Sequence, residues 1–140
     1  MKILYSFITL FFFTGILVAQ IEKAPVYPGC EGLDTKQTEK CFFQKLRHDV
    51  ITNFRVPEKA ITENYHGKVN VIFLVFNTGK ISVLYVSDIY QELEQEVKRV
   101  FADLPVVVPA TYNGRNIEKQ YLFPLEIPLP GTSGDYIVTS

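Results

Sequence analysis

The sequence has little charge of either sign to spare. Across 140 residues the formal net charge is -1, and only 21% of residues are charged. No run of like charges marks a tail or a polybasic patch, so nucleic acid is not an expected partner. Serine in a nucleophile elbow, a Gly-rich phosphate loop and a paired-histidine metal motif are all missing, so no catalytic residue, cofactor or metal is expected. The histidines, His48 and His66, read as surface residues beside Arg47 and Gly67. Glu92, Glu94 and Glu96 read as a solvated helix face. Cysteine is scarce too, with Cys30 and Cys41 alone. They lack the short paired spacing of a zinc site.

What is present is apolar. Hydrophobic residues make up 47% of the chain and aromatics 14%, enough for a packed core, and the length suits one domain. The longest apolar run comes first. Lys2 precedes the stretch from Ile3 to Val18, which ends at Ala19, as in a secretory signal with a small-residue cleavage point. Cleavage after Ala19 would leave Gln20 at the new N-terminus and place the protein in the periplasm. The alternative is an uncleaved anchor in the inner membrane facing the periplasm, the one case that implies membrane contact, since about 17 apolar residues can just cross a bilayer. Export puts Cys30 and Cys41 in an oxidising compartment, so a disulfide between them is expected.

Residues 20–37 lack apolar periodicity and contain Pro25, Pro28, Gly29 and Gly32, the marks of an extended lead-in. Asp34, Thr35 and Thr38 are N-cap candidates for a helix over Thr38 to Phe54, whose Phe42, Leu46, Val50 and Phe54 recur every fourth residue. Pro57 suits the start of a short helix over Glu58 to Asn64. Lys68 to Phe76 and Lys80 to Ser87 are β-branched and aromatic runs joined through Asn77-Thr78-Gly79, a hairpin pattern. Tyr90 to Leu104 returns to helical period through Leu93, Val97, Val100 and Phe101, with acids early and bases late. Val106 to Thr111 reads as an apolar connector and Asn113-Gly114 as a turn. Ile117 to Leu129 reads as a last strand, and residues 130–140 as a flexible tail. The domain therefore spans 38–129 and is an α+β two-layer sandwich, a three-stranded antiparallel sheet with helices on one face. In its first long strand Val69, Val71, Phe73 and Val75 alternate with Ile72, Leu74 and Phe76, so both faces are apolar, and Ile72, Leu74 and Phe76 form a candidate self-association face, with a homodimer as its product.

From Phe54 to Leu129 the chain resembles the C-terminal domain of TonB. The residues that carry the resemblance are Val56-Pro57-Glu58-Lys59-Ala60, Gly67-Lys68-Val69-Asn70-Val71 at the start of the hairpin and Asn77-Thr78-Gly79 at its turn. Leu93, Glu96-Val97 and Val100 follow in the helix, then Pro109-Ala110 and Asn113-Gly114. Pro25 to Glu31 with Cys41-Phe42 looks like the lead-in of such domains in Bacteroidetes. The chain departs from the family at Val56, where tyrosine is usual, at the hairpin turn, which lacks an aspartate, and at Ala102 to Pro105. The resemblance implies a periplasmic protein-interaction module associated with TonB-dependent transport. Its partner would be an outer-membrane receptor or another envelope protein, which adds an extended segment to the last strand. By position that edge is Gln120, Tyr121, Leu122, Phe123, Leu125, Glu126 and Ile127, with Pro124 as a guard against indiscriminate pairing. A transducer also needs an anchor and a long spacer, whereas Gln20 to Gln37 reaches about 60 Å at most.

Overall fold

A computed structural model describes residues 20–87 and 90–129. The proposed signal and cleavage point, and the proposed tail, lie outside the described residues. Within them the order is β1 (Glu22–Lys23), α1 (Thr35–Asn53), α2 (Glu58–Thr62), β2 (Gly67–Val75), β3 (Ile81–Ser87), α3 (Gln91–Ala102), β4 (Thr111–Tyr112), β5 (Arg115–Asn116) and β6 (Lys119–Ile127). The fold is α+β, as expected.

The main sheet is antiparallel with order β3-β2-β6, so the most apolar strand is central. Its odd-numbered side chains, Val69, Val71, Phe73 and Val75, are fully buried under the helices. Phe42, Leu46 and Val50 of α1 and Leu93, Val97 and Phe101 of α3 fill the layer above them. The four-residue spacing on α1 is thus a core stripe, and burial of such side chains supplies about 1.5–3 kcal/mol each.

α1 begins three residues before the expected start. Asp34 is its N-cap, Asp34 Oδ1 accepting the Gln37 N–H at 2.9 Å, so Thr35 to Gln37 belong to the helix and not to the lead-in. α2 ends at Thr62 instead of Asn64, which sits at φ 50° and cannot continue a right-handed helix. Pro57 precedes α2 as its N-cap.

A second small sheet, order β1-β4-β5, was not foreseen. The lead-in runs antiparallel to the connector, with Glu22 opposite Tyr112, Lys23 opposite Thr111 and a bridge between Val26 and Val108. Asn113 and Gly114, at φ 48° and 78°, turn β4 into β5, the backbone that an Asn-Gly hairpin favours. Cys30 and Cys41 form the expected disulfide, which ties the lead-in to the first turns of α1. Closing a loop of this size stabilises by about 3 kcal/mol in the chain-entropy picture.

The β2-β3 turn is held from outside. Gly79 has φ 85°, and its carbonyl accepts the Val107 N–H at 3.0 Å. A Cβ there would lie 1.9 Å from the Val107 oxygen, so the contact requires glycine.

Candidate functional site

The last strand has one neighbour. β6 pairs with β2 without a break from Lys119 opposite Val75 to Ile127 opposite Gly67, and no strand among the described residues pairs with its other side. Which backbone groups face that free side follows from Asn70. Its N–H donates to Ser87 Oγ on β3 at 2.8 Å, so Asn70 and the other even-numbered residues of β2 turn their backbone groups away from β6. Asn70 lies opposite Pro124, which makes this a non-hydrogen-bonded pair, with the proline nitrogen on the free edge.

By the same alternation Gln120, Leu122 and Glu126 present N–H and C=O to the free edge, and Pro124 presents C=O alone. Proline is tolerated there because the ladder to β2 needs no donor from that position. The remaining expected edge residues, Tyr121, Phe123, Leu125 and Ile127, spend their backbone groups on β2. Phe123, Leu125 and Ile127 are buried in the core, and Tyr121 is half-buried. The edge named from sequence therefore divides into an outward set and a structural set.

Two surfaces flank this edge. On the helix side, Phe43 of α1 meets Tyr121 edge-on at 5.4 Å between ring centroids, and the Arg47 guanidinium lies 5.1 Å above the Phe123 ring. The Tyr121 hydroxyl is buried and has no hydrogen-bond partner among the described residues. Burial raises its pKa first, and the negative charges of Glu39 and Glu22 raise it further. Phe43 and Arg47 did not stand out in the sequence as site residues; their four-residue spacing beside the core stripe was the available signal.

On the other face, Ile72 lies directly between Leu122 and Tyr85 in register. Leu122 and Tyr85 are 58% and 57% exposed, and Leu74 and Phe76 of the expected self-association face are half-buried beside Ile72. β2 ends at Val75, so Phe76 belongs to the turn. On the opposite edge, β3 carries a register shift between Ile72 and Phe73, which leaves Leu84 as the extra residue of a bulge.

His48 is exposed, and His66 is exposed with Nδ1 2.8 Å from the Asn64 oxygen. Among the described residues no group of three His, Cys, Asp or Glu side chains is placed to hold a metal ion. A shallow groove of about 620 Å³ at the hairpin tip is lined by Phe76, Lys80, Ser82, Leu104 and Val106 among others, with Lys80 as its one titratable side chain. No helix among the described residues is long and apolar enough to cross a membrane.

No protein-family model and no curated protein matches this chain. Among solved structures, the solution structure of the TonB C-terminal domain of Helicobacter pylori aligns with it at 17% identity and a TM-score of 0.40, covering 61% of this chain and 90% of that one.

Proposed function

We propose that this chain is an exported, non-enzymatic interaction module of the TonB C-terminal type, acting in the periplasm in association with TonB-dependent transport. It takes up an extended segment of an outer-membrane receptor or other envelope protein as a further strand along β6. The observation that carries this reading is the free side of β6, where Gln120, Leu122 and Glu126 direct backbone donors and acceptors away from the sheet. Unpaired edges of this kind supply affinity through main-chain hydrogen bonds, and alternate side chains supply selection. The residues shared with the TonB pattern, from Val56-Pro57 to Asn113-Gly114, support the same reading.

Replacing an outward donor tests it without breaking the ladder. Leu122→Pro removes an N–H from the free edge alone, so the variant is expected to keep its fold by circular dichroism and lose at least about tenfold in affinity for receptor-derived peptides. Wild-type affinity in a folded Leu122→Pro protein would overturn strand addition at β6. Export with cleavage after Ala19 belongs to the proposal; the intact mass of the protein recovered from its envelope distinguishes it from an inner-membrane anchor.

A second reading, self-association into a homodimer, is favoured by the apolar row on the open sheet face, where exposed Leu122 and Tyr85 flank half-buried Ile72. Sedimentation of the wild type beside Tyr85→Ser decides it. A dimer lost in the variant supports this reading, and a monomer in both removes it.

A further inference from the structure

The inference rests on β6 being the docking edge and concerns what its partner must look like. A strand added beside β6 places alternate side chains on the two faces of the sheet. One set meets α1 and the other meets the open face. The flank of α1 that borders β6 is fixed by Phe43 against Tyr121 and Arg47 above Phe123. Lys36 and Lys40 share this flank, because the spacing 36, 40, 43, 47 repeats by four, three and four residues along the helix.

Lys36, Lys40 and Arg47 are exposed, and among the described residues none of them forms an ion pair. Glu39 and Glu22 are the acids whose charges reach Tyr121, and Glu22 is already paired with Lys119. The opposite flank of α1 is already occupied by the lead-in. There the Tyr27 hydroxyl donates to Asp49 Oδ2 at 2.6 Å and Cys41 is bridged to Cys30. The helix beside the other sheet edge differs as well. On α3, Lys98 is paired with Glu94 at 2.5 Å and Arg99 with Glu96 and Asp103, and that edge is bulged. Unneutralised cations therefore collect beside β6.

Pro124 sets where the backbone bonds concentrate. Opposite it an incoming residue can donate to a carbonyl but finds no N–H to accept, so paired bonds gather at Gln120 and Leu122, the stretch beneath Phe43 and Arg47. On the open face this stretch carries Leu122, which favours an apolar neighbour.

We propose that the partner segment is an extended stretch seated along Lys119–Phe123 that alternates acidic side chains, read by Lys36, Lys40 and Arg47 around Phe43, with apolar side chains that cover Leu122. The cations lie in solvent, so they select among partners and speed encounter more than they add affinity.

Three fluorescent peptides test this against the chain recovered from its native envelope: alternating Asp-Val, alternating Lys-Val and alternating Ser-Val. Wild type is expected to prefer Asp-Val over Lys-Val by about tenfold at low salt, a preference that fades as salt screens it. The triple variant Lys36→Gln, Lys40→Gln, Arg47→Gln is expected to lose that preference and keep its affinity for Ser-Val. Equal binding of the acidic and basic peptides by wild type, or a preference that survives in the triple variant, overturns the inference. Leu122→Pro separates the two layers of the argument. If it abolishes binding of every peptide while charge makes no difference, strand addition stands and the acidic partner falls. If no peptide binds wild type, or all bind Leu122→Pro unchanged, docking at β6 falls and the inference with it.

Discussion

The two faces of the main sheet are built from neighbouring residues of the same strands and serve different ends. Phe123 is 1% exposed and packs edge-on to Phe101 at 6.0 Å, while Leu122, one residue earlier, is 58% exposed. Val71 and Phe73 are buried, and Ile72 between them is half-buried. On the covered face apolar side chains supply stability. On the open face equally apolar side chains stay in contact with water, and a cluster of that kind marks a surface meant for contact more often than a defect of packing. Adjacent substitutions in β6 therefore report on different properties.

The largest effect belongs to the covered face. Phe123→Ala removes a ring held between Phe101 and the Arg47 guanidinium and leaves a cavity, so it is expected to cost about 3–5 kcal/mol. Urea denaturation checks this. A loss below about 1 kcal/mol would mean that α1 and α3 settle onto the sheet when the ring is gone, and that the two faces differ less in packing than their burial suggests.

A middle-sized effect lies at the rim of the helix layer. Glu96 accepts the Arg55 backbone N–H at 2.7 Å and pairs with Arg99, whose Nη2 also donates to Asn53 O at the end of α1 at 2.8 Å. This cluster pins α3 to the end of α1. Burial pushes the Glu96 pKa up, but the hydrogen bonds from Arg99 and from the Arg55 backbone outweigh it, and the carboxyl is held below its usual range. A lowered folded-state pKa gives stability that is present above the unfolded value of about 4.3 and is lost as pH falls through the lower folded value. Arg99 is more than a third exposed, so solvent screens the pair. Glu96→Gln is expected to cost about 1 kcal/mol at pH 7 and progressively less as pH falls through the folded-state value. A cost that stayed constant with pH would point to shape and not charge as the source.

Much of this was legible beforehand because hydrophobic period reports burial. The stripe Phe42, Leu46, Val50 and the run from Val69 to Val75 placed the layers correctly, and Gly79 marked its turn. The small sheet was not legible, since β1, β4 and β5 have two residues each and no period can show in two residues. The start of α1 was ambiguous among three polar residues, and the Asp34 hydrogen bond decides between them. For the edge, residues of both parities of β6 were named because the stretch was carried over by position from the resemblance, although Tyr121, Phe123, Leu125 and Ile127 alternate with Gln120 and Glu126. The ladder alone separates outward Leu122 from inward Phe123, and it fixes the Pro124 nitrogen on the free side. Arg47 was read only as a neighbour of His48, because its role depends on which strand α1 lies above.

The smallest effect probes the open face directly. Leu122→Ser shortens a side chain that water already reaches, so the monomer should lose no more than about 0.5 kcal/mol. The informative variable is protein concentration. A face covered by a second copy stabilises the native state by mass action, and the benefit rises with concentration. Urea midpoints of wild type and Leu122→Ser, taken at two concentrations about a hundredfold apart, should then differ by the same small amount at both if the face is open. A gap that widens with concentration would mean that Leu122, Ile72 and Tyr85 are buried between two copies. The contrast between the faces would then hold for the isolated chain only, and the apolar row would be an assembly surface beside the edge instead of one wall of the proposed docking site.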